Sequence, residues 1–145
     1  RRLMIEVNRM QTDRPVPAPN PETAPYWKAA REHRLMLPRC LACGKYHFYR
    51  RSLCPFCASR SLAWEPCSGK GVIYSFTEVF RAPSEAFAAD VPYVVAIVAL
   101  DEGPHLMTGL VLTGGMRPRI GQPVEVLYED LDEELSLPRF RVTQP

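Results

Sequence analysis

Four cysteines arranged in two pairs are the residues of this chain whose type and spacing point most directly to chemistry. Cys40 and Cys43 form one Cys-x-x-Cys pair, and Cys54 and Cys57 form a second pair after ten intervening residues. Each Cys-x-x-Cys turn directs two thiolates toward one ion, and two such turns complete a tetrahedral site. The spacing therefore predicts one metal ion held by four thiolates.

The predicted donor set also indicates the metal and its role. Four protein ligands leave no open coordination position, so we expect a closed, structural site with one Zn²⁺ per chain. Iron is the competing metal, because tetrahedral sulfur sites accept both ions. A redox role is disfavoured, since thioredoxin-like sites carry a single pair at a helix start. A segment of roughly 35 residues is too small for a core of its own, so the metal should supply its folding energy, about 10–16 kcal/mol.

The other reactive side chains show no catalytic pattern. Cys67 lies outside the two pairs, and we expect a small buried residue at a strand edge. His47 lies between the pairs and is expected to be a surface strand residue, because four thiolates already complete the ligand set. His33 and His105 have no recognisable partner in the sequence. With no nucleophile–base set and no phosphate-binding glycine-rich motif, the sequence assigns no catalytic residue.

The elements that must position the cysteines come from the chain on either side of them. Residues 1–22 contain alternating prolines, which favour an extended arm. A helix is predicted over residues 23–34, with Pro25 in its first turn. Short strands are expected at residues 35–37 and 46–48, flanking the first cysteine pair. We therefore expect an arm over 1–22, a helix with a zinc ribbon over 23–68, and a barrel over 69–145.

Five strands are predicted after the ribbon from alternating or continuous apolar residues, at 70–81, 91–100, 105–113, 122–128 and 140–142. Five strands in about 75 residues favour a small closed barrel over a sandwich. Lys70 stands between Gly69 and Gly71 at the start of this region. We expect a flexible hinge there, with a phosphate contact as the alternative.

The charge is divided between the two predicted modules. The chain has a net charge of +2, but residues 26–70 carry nine Lys and Arg against two Glu, whereas residues 71–145 carry five Arg against eleven acidic residues. Such asymmetry indicates two different surfaces. No apolar run approaches the roughly 20 residues of a membrane span. Residues 1–4 lack the apolar core of a secretion signal, so we expect a cytoplasmic protein.

Several short motifs occur together and carry a family resemblance. They are Tyr26-Trp27, Cys40-x-x-Cys43-Gly44, Cys54-Pro55-x-Cys57, Gly69-x-Gly71-x-x-Tyr74-Ser75-Phe76-Thr77, Pro92-Tyr93, Leu100-Asp101-Glu102-Gly103 and Gly121-x-Pro123-Val124. Over residues 23–143 the chain resembles OB-fold, acyl-CoA-associated proteins with an N-terminal rubredoxin-like zinc ribbon. The resemblance implies a mainly β fold, with an N-terminal helix and ribbon followed by a five-stranded OB-fold barrel.

The resemblance also implies a function and a partner. Proteins of this kind are small, non-catalytic subunits that assist assembly and acyl-CoA binding beside thiolase-, aldolase- or hydratase-type enzymes. We therefore expect a hetero-oligomer with a thiolase-like catalytic subunit and a coenzyme A thioester at or near the interface. Arg50, Arg51 and Lys70 are candidates to bind the coenzyme A phosphates by charge-assisted hydrogen bonds. Arg50 and Arg51 stand where the family pattern carries proline, which leaves the identity of the partner open.

Two other function classes compete with this interpretation. Zinc ribbons and OB-folds both bind nucleic acid strands, so a nucleic-acid-binding module is the main alternative. The acidic barrel half argues against it, because phosphate contacts dominate nucleic-acid affinity. A free-standing enzyme is the third class, and the sequence supplies no residues for it.

Overall fold

The computed structural model describes residues 14–144, which form one α-helix and seven strands. The helix is α1 (Ala24–Arg31), and a 3₁₀ turn covers Glu85–Phe87. The strands are β1 (Leu35–Cys40), β2 (Leu62–Cys67), β3 (Lys70–Val79), β4 (Tyr93–Leu100), β5 (His105–Val111), β6 (Pro123–Asp130) and β7 (Ser136–Val142). The predicted mainly β architecture is confirmed.

Five strands close into a barrel in the order β3-β4-β5-β7-β6, with β3 pairing antiparallel to β6. Every neighbouring pair is antiparallel except β5 and β7, which run parallel over two residues each. Inward side chains such as Ile73, Val98, Val124 and Phe140 are almost fully buried and form the core. The five-stranded OB-fold barrel is therefore confirmed, because its alternating strands bury one face and leave the other in water.

The last strand is longer than predicted. β7 begins at Ser136, four residues before the expected start, and pairs with β6 from Asp130 onward. The acidic segment between them closes as a tight turn, in which the Asp132 carboxylate accepts hydrogen bonds from the backbone N–H groups of Glu134 and Leu135 at 2.7 and 2.8 Å. An aspartate that bonds its own backbone is an efficient turn former. Residues between the predicted strands 122–128 and 140–142 therefore extend the β6–β7 hairpin.

Helix α1 ends earlier than predicted because the chain forms a Schellman motif. The N–H of His33 donates to the carbonyl of Ala30 at 2.9 Å, and the N–H of Arg34 donates to the carbonyl of Ala29 at 2.9 Å. His33 has a φ of 57°, the left-handed conformation that this motif requires. The chain thereby leaves the helix at residue 32 and turns directly into β1.

Strand β2 was not anticipated, and it changes the pairing within the ribbon. β1 pairs antiparallel with β2 from Leu35↔Cys67 to Cys40↔Leu62. Of the two short strands expected at residues 35–37 and 46–48, the first is part of β1, whereas the second is reduced to a single bridge between Arg39 and Tyr46. Each of the two strands contains a proline, a residue that sheets accept at their edges, because a proline there need not donate a ladder hydrogen bond.

The ribbon sheet packs directly on the barrel. Leu35 and Leu37 of β1 are buried in the same apolar cluster as Ile73, Val98 and Phe140. The two modules therefore share one core, which supplies a driving force in proportion to the apolar area removed from water.

The glycine-flanked lysine at the module junction is not a hinge. The Gly69 carbonyl accepts a hydrogen bond from the N–H of Val126 at 2.7 Å. A Cβ at Gly69 would lie 2.3 Å from Val126 Cγ1, and one at Gly71 would lie 2.3 Å from the carbonyl oxygen of Ala99. Glycine is needed here because the backbone approaches its neighbours too closely for a side chain.

Within residues 14–144, no helix has the length and apolar character needed to cross a membrane.

Candidate functional site: a four-cysteine centre and a basic cleft

The first cysteine pair lies in a compact turn at the end of β1. The Cys40 N–H donates to the carbonyl of Lys45 at 2.9 Å, and the Gly44 N–H donates back to the carbonyl of Cys40 at 2.8 Å. Gly44 has a φ of 76°, a conformation that glycine adopts without a steric penalty. These bonds close the turn and direct Cys40 and Cys43 to the same side.

The second pair repeats this geometry fourteen residues later, with one exception. The Cys54 N–H donates to the carbonyl of Ser59 at 2.9 Å, and the Ala58 N–H donates to the carbonyl of Cys54 at 2.9 Å. Ala58 occupies the position equivalent to Gly44 and has a φ of 60°. A left-handed non-glycine residue costs roughly 1–2 kcal/mol. The second turn is therefore the more strained of the two.

The four sulfurs converge on one point. All four Sγ atoms lie within 4.8 Å of one another. Cys40 and Cys57 Sγ are 3.6 Å apart, as are Cys43 and Cys54 Sγ. A sulfur tetrahedron with metal–sulfur bonds of about 2.3 Å has edges of about 3.8 Å. The cluster thus has the size needed to hold a tetrahedral, thiophilic ion such as Zn²⁺.

Backbone N–H groups donate hydrogen bonds to two of the four sulfurs. The Cys43 N–H donates to Cys40 Sγ at 3.5 Å, and the Phe56 N–H donates to Cys54 Sγ at 3.4 Å. The first of these bonds is the main cause that lowers the pKa of Cys40 to about 6. Hydrogen bonds to the charged form favour it. Cys40 and Cys54 are buried while Cys43 and Cys57 are exposed, so the centre lies at the surface of the ribbon.

Cys67 lies at the end of β2, outside this cluster. Desolvation by burial, followed by the negative charge of Glu102, raises its pKa to about 12. A thiol with such a pKa remains protonated near neutral pH and is a poor nucleophile. Cys67 is half-buried, and so more exposed than the buried residue that the sequence predicted.

A cleft of about 690 Å³ lies beside the cysteine centre, between the ribbon and the β4–β5 turn. Its charged side chains are Lys45, Arg51 and Glu102, and its rings are Tyr46, His47, Phe48, Phe56 and His105. Lys45 Nζ lies 4.8 Å from the centre of the Phe56 ring, which is a cation–π distance. The cleft combines positive charge with aromatic surface.

The three predicted phosphate-binding residues are not brought together. Arg51 lines this cleft, and Arg50 is exposed outside its lining. Lys70 lines a separate cavity of about 360 Å³ that also contains Asp101 and Glu125. Two acidic neighbours make that second cavity a poor anion site.

His47 lies in the wall of the cleft, and the prediction of a surface residue was wrong. Its backbone N–H donates to the carbonyl of Pro38 at 3.0 Å, which places the segment against β1 and leaves the residue 4% exposed. Within residues 14–144, neither ring nitrogen has a hydrogen-bond partner. Burial, and then the charges of Arg51 and Arg50, lower the pKa of His47. The imidazole is therefore neutral at physiological pH.

One polar cluster could not be recognised from the sequence. His33 Nε2 lies 2.8 Å from Asp130 Oδ1, and the buried Ser136 hydroxyl donates to the same oxygen at 2.5 Å. The Ser136 bond and then the His33 bond lower the pKa of Asp130. Because the serine donates to the carboxylate, this arrangement orients no nucleophile. It connects the end of α1 to the β6–β7 hairpin.

Two family models match the chain. The model described as the rubredoxin-like zinc ribbon domain of ChsH2 covers residues 27–63, and the model of the ChsH2 C-terminal OB-fold domain covers residues 64–129. Together they extend over the ribbon and most of the barrel.

Similar proteins carry names from acyl-CoA metabolism and from scaffolding. A "Probable enoyl-CoA hydratase alpha subunit" from Thermomonospora curvata is 38% identical over 91% of this chain. The match covers 41% of that relative, so the chain spans about two fifths of its length. A "DUF35 domain-containing scaffold protein" from Methanothermobacter thermautotrophicus is 35% identical over 78% of this chain and 86% of its own length.

A solved structure is also similar to this chain in sequence and in fold. The structure described as "Ltp2-ChsH2(DUF35) aldolase" contains a chain with 36% identity and a TM-score of 0.77, and the match covers 89% of this chain and 100% of that one. This chain therefore belongs to the family of ChsH2-type and DUF35 domain-containing proteins, in which a rubredoxin-like zinc ribbon precedes an OB-fold domain.

Proposed function

We propose that this chain is a non-catalytic accessory subunit of an acyl-CoA enzyme complex of the hydratase, aldolase or thiolase type. The observation that carries the proposal is its similarity, at 36–38% identity, to a hydratase alpha subunit and to a chain of an aldolase complex. The described part of the chain adds no nucleophile oriented by a base: Cys67 is held protonated, and Ser136 donates to a carboxylate. The catalytic groups come from the partner subunit.

One Zn²⁺ per chain, bound by Cys40, Cys43, Cys54 and Cys57, is the structural cofactor in this proposal. The support is the convergence of the four sulfurs within 4.8 Å. A site with four thiolates is closed, so the metal stabilises the ribbon and does not contact substrate. It fixes the two turns, and these position the cleft residues Lys45 and Phe56.

The coenzyme A thioester lies in the cleft beside the ribbon. The cleft has a volume of about 690 Å³, which falls in the range of ligand sites, about 300–1,000 Å³. Arg51 and Lys45 provide the positive charge for a phosphate group, and the rings of Phe56 and Tyr46 provide apolar surface. The role expected of Lys70 is weakened by its acidic cavity, so Arg51, with Arg50 beside it in the chain, is the main candidate.

The proposal is tested by co-expression with a candidate catalytic subunit of the thiolase, aldolase or hydratase type from the same organism. Gel filtration should give a stable complex, and the reaction on an acyl-CoA substrate should require both components. This chain alone should show no activity. A partner that is fully active alone contradicts the accessory role. Binding of a single-stranded oligonucleotide with a steep salt dependence would instead favour the nucleic-acid alternative.

A further inference from the structure

One edge of strand β5 carries unpaired backbone groups. β5 pairs with β4 from Ala99↔His105 to Val94↔Leu110, but with β7 it pairs only at Leu110 and Val111. Along the part of β5 before Gly109, the side that faces away from β4 therefore has no ladder partner within residues 14–144. Most barrels of this size remove such edges by closure.

The hydrogen-bonding alternation identifies the exposed groups. The Leu100 N–H donates to the Pro104 carbonyl at 2.9 Å, which makes this position of the ladder a hydrogen-bonded pair. In an antiparallel ladder such pairs recur at every second residue, so the β5 residues that bond to β4 are Leu106, Thr108 and Leu110. The backbone N–H and C=O groups of the alternate residues His105 and Met107 point toward the open edge, whereas Gly109, the next in this series, already meets β7 through its carbonyl.

The sequence itself explains why β7 does not cover this edge. Continuing the parallel pairing backward from Phe140 would require a donor near Pro138, and proline has no backbone N–H. The Arg139 side chain lies over Gly109 and forms an ion pair with Glu129 at 2.7 Å. The Gly109 carbonyl is the last β5 group that β7 reaches, because the parallel pairing of Leu110 with Phe140 directs the Phe140 N–H to it. Pro138 and Arg139 of β7 thus leave this edge of β5 unpaired.

Apolar and basic side chains surround the open edge. Met107 is 68% exposed and Tyr74 is 56% exposed, and the Tyr74 ring contacts the His105 ring at a centroid distance of 4.4 Å. His105 also lines the cleft that contains Lys45 and Arg51. An extended peptide along β5 would therefore contact an apolar surface at Met107 and a positively charged one beyond His105.

We propose that the β5 edge from His105 to Met107 binds an extended segment of the catalytic subunit by strand addition. The segment forms backbone hydrogen bonds with His105 and Met107, places an apolar side chain beside Met107, and carries an acidic residue at the end that reaches the basic cleft. Main-chain bonds of this kind provide affinity, and alternate side chains provide specificity. This inference rests on the proposed accessory function and names the surface through which it operates.

Residue-resolved amide hydrogen exchange tests the inference on the full chain, alone and in complex with the co-expressed catalytic subunit. In the free chain, the amides of His105 and Met107 should exchange quickly, while those of Leu106 and Thr108 are already protected by β4. In the complex, the His105 and Met107 amides should slow at least about tenfold. Unchanged exchange at both residues in a stable complex overturns the strand-addition site and leaves the accessory function intact.

A matched pair of variants separates backbone from side-chain contributions. Met107→Ala removes the apolar contact, whereas Met107→Pro also removes the outward N–H, at an edge position where proline is tolerated. Met107→Pro should weaken the complex at least about tenfold more than Met107→Ala. Equal affinities contradict the proposal. If Met107→Pro does not fold, the exchange measurement on the unmodified chain decides. If the unmodified chain forms no complex, both this inference and the accessory function fail.

Discussion

His33 Nε2 lies 2.8 Å from Asp130 Oδ1, although the two residues are separated by 97 positions in the chain. His33 is the left-handed residue that ends α1, and Asp130 is the last residue of β6. The His33 ring also stacks on Tyr128 at a centroid distance of 5.1 Å, with an angle of 6° between the planes. This contact fixes the helix at the entrance to the ribbon against the far hairpin of the barrel.

The contact predicts a specific dependence of stability on pH. The hydrogen bonds from Ser136 and His33 lower the pKa of Asp130 below the value of about 3.9 in an unfolded chain. The stabilisation by this carboxylate is therefore complete above the unfolded pKa and is lost as the pH falls through the lower folded pKa. In Asp130→Asn, the free energy of unfolding should decrease less between about pH 6 and pH 3 than in the unmodified protein. Urea denaturation at both pH values measures the difference.

The matched control for this prediction is Glu134→Gln, on the same hairpin. Glu134 is exposed, and only its backbone N–H forms a hydrogen bond within the described residues. Its replacement should leave the pH dependence unchanged. If the free energy of unfolding decreased equally between about pH 6 and pH 3 in Asp130→Asn and in the unmodified protein, the charge of Asp130 would contribute nothing to the stability of the His33–Asp130–Ser136 cluster.

The two cysteine turns predict opposite effects of glycine and alanine. Gly44 and Ala58 occupy equivalent positions, with φ of 76° and 60°. Ala58→Gly should stabilise the metal-loaded protein by up to about 1 kcal/mol, because it relieves left-handed strain that exceeds the added chain entropy. Gly44→Ala should destabilise it by about 1–2 kcal/mol. Thermal unfolding with zinc present compares the three proteins, and destabilisation by Ala58→Gly would contradict the equivalence of the turns.

Replacement of a cysteine should abolish zinc binding at the four-cysteine centre but not at Cys67. Cys40→Ser should lose zinc and unfold the ribbon, because three thiolates no longer close the site. Cys67→Ala should retain about one zinc per chain, since its half-buried thiol lies outside the cluster. Elemental analysis and thiol titration of the folded protein distinguish the two. Loss of zinc from Cys67→Ala, or iron in place of zinc in the unmodified protein, would refute the assignment.

Close packing at the module junction predicts a strong effect of a single methyl group. A Cβ at Gly71 would lie 2.3 Å from a backbone oxygen of Ala99, which cannot move without disturbing β4. Gly71→Ala should therefore destabilise the barrel by about 1–3 kcal/mol. Gly109→Ala is the control, because its Cβ would lie 3.4 Å from the mobile end of Arg139. In chemical denaturation, the free energy of unfolding of Gly71→Ala should be well below that of Gly109→Ala. Equal free energies would contradict the packing argument.

Charge reversal in the cleft tests coenzyme A binding within the complex. Replacing both Arg50 and Arg51 with Glu should raise the KM for the acyl-CoA substrate about tenfold or more and leave kcat nearly unchanged. Phosphate contacts remote from the reacting bond persist from the ground state to the transition state. Arg60→Glu is the control, since Arg60 is an exposed ribbon residue outside the cleft lining. A fall in kcat with an unchanged KM would place these arginines outside substrate binding.

The sequence by itself determined the features that depend on a few neighbouring residues. The spacing of Cys40 with Cys43 and of Cys54 with Cys57 predicted that the four thiols converge, because each turn closes within six residues through its own backbone bonds. The alternation of apolar residues predicted the barrel, since every strand must bury one face. The identity of the bound metal and the partner remain predictions.

Only the tertiary structure decided which distant residues meet. It placed His47 inside the cleft wall, separated Lys70 from Arg51, and joined His33 to Asp130. No local pattern encodes these relationships, because they depend on how the β1–β2 sheet packs over the barrel core through Leu35 and Leu37. The open edge of β5 has the same origin: Pro138 is visible in the sequence, but only the parallel pairing of β5 with β7 shows which donor it removes.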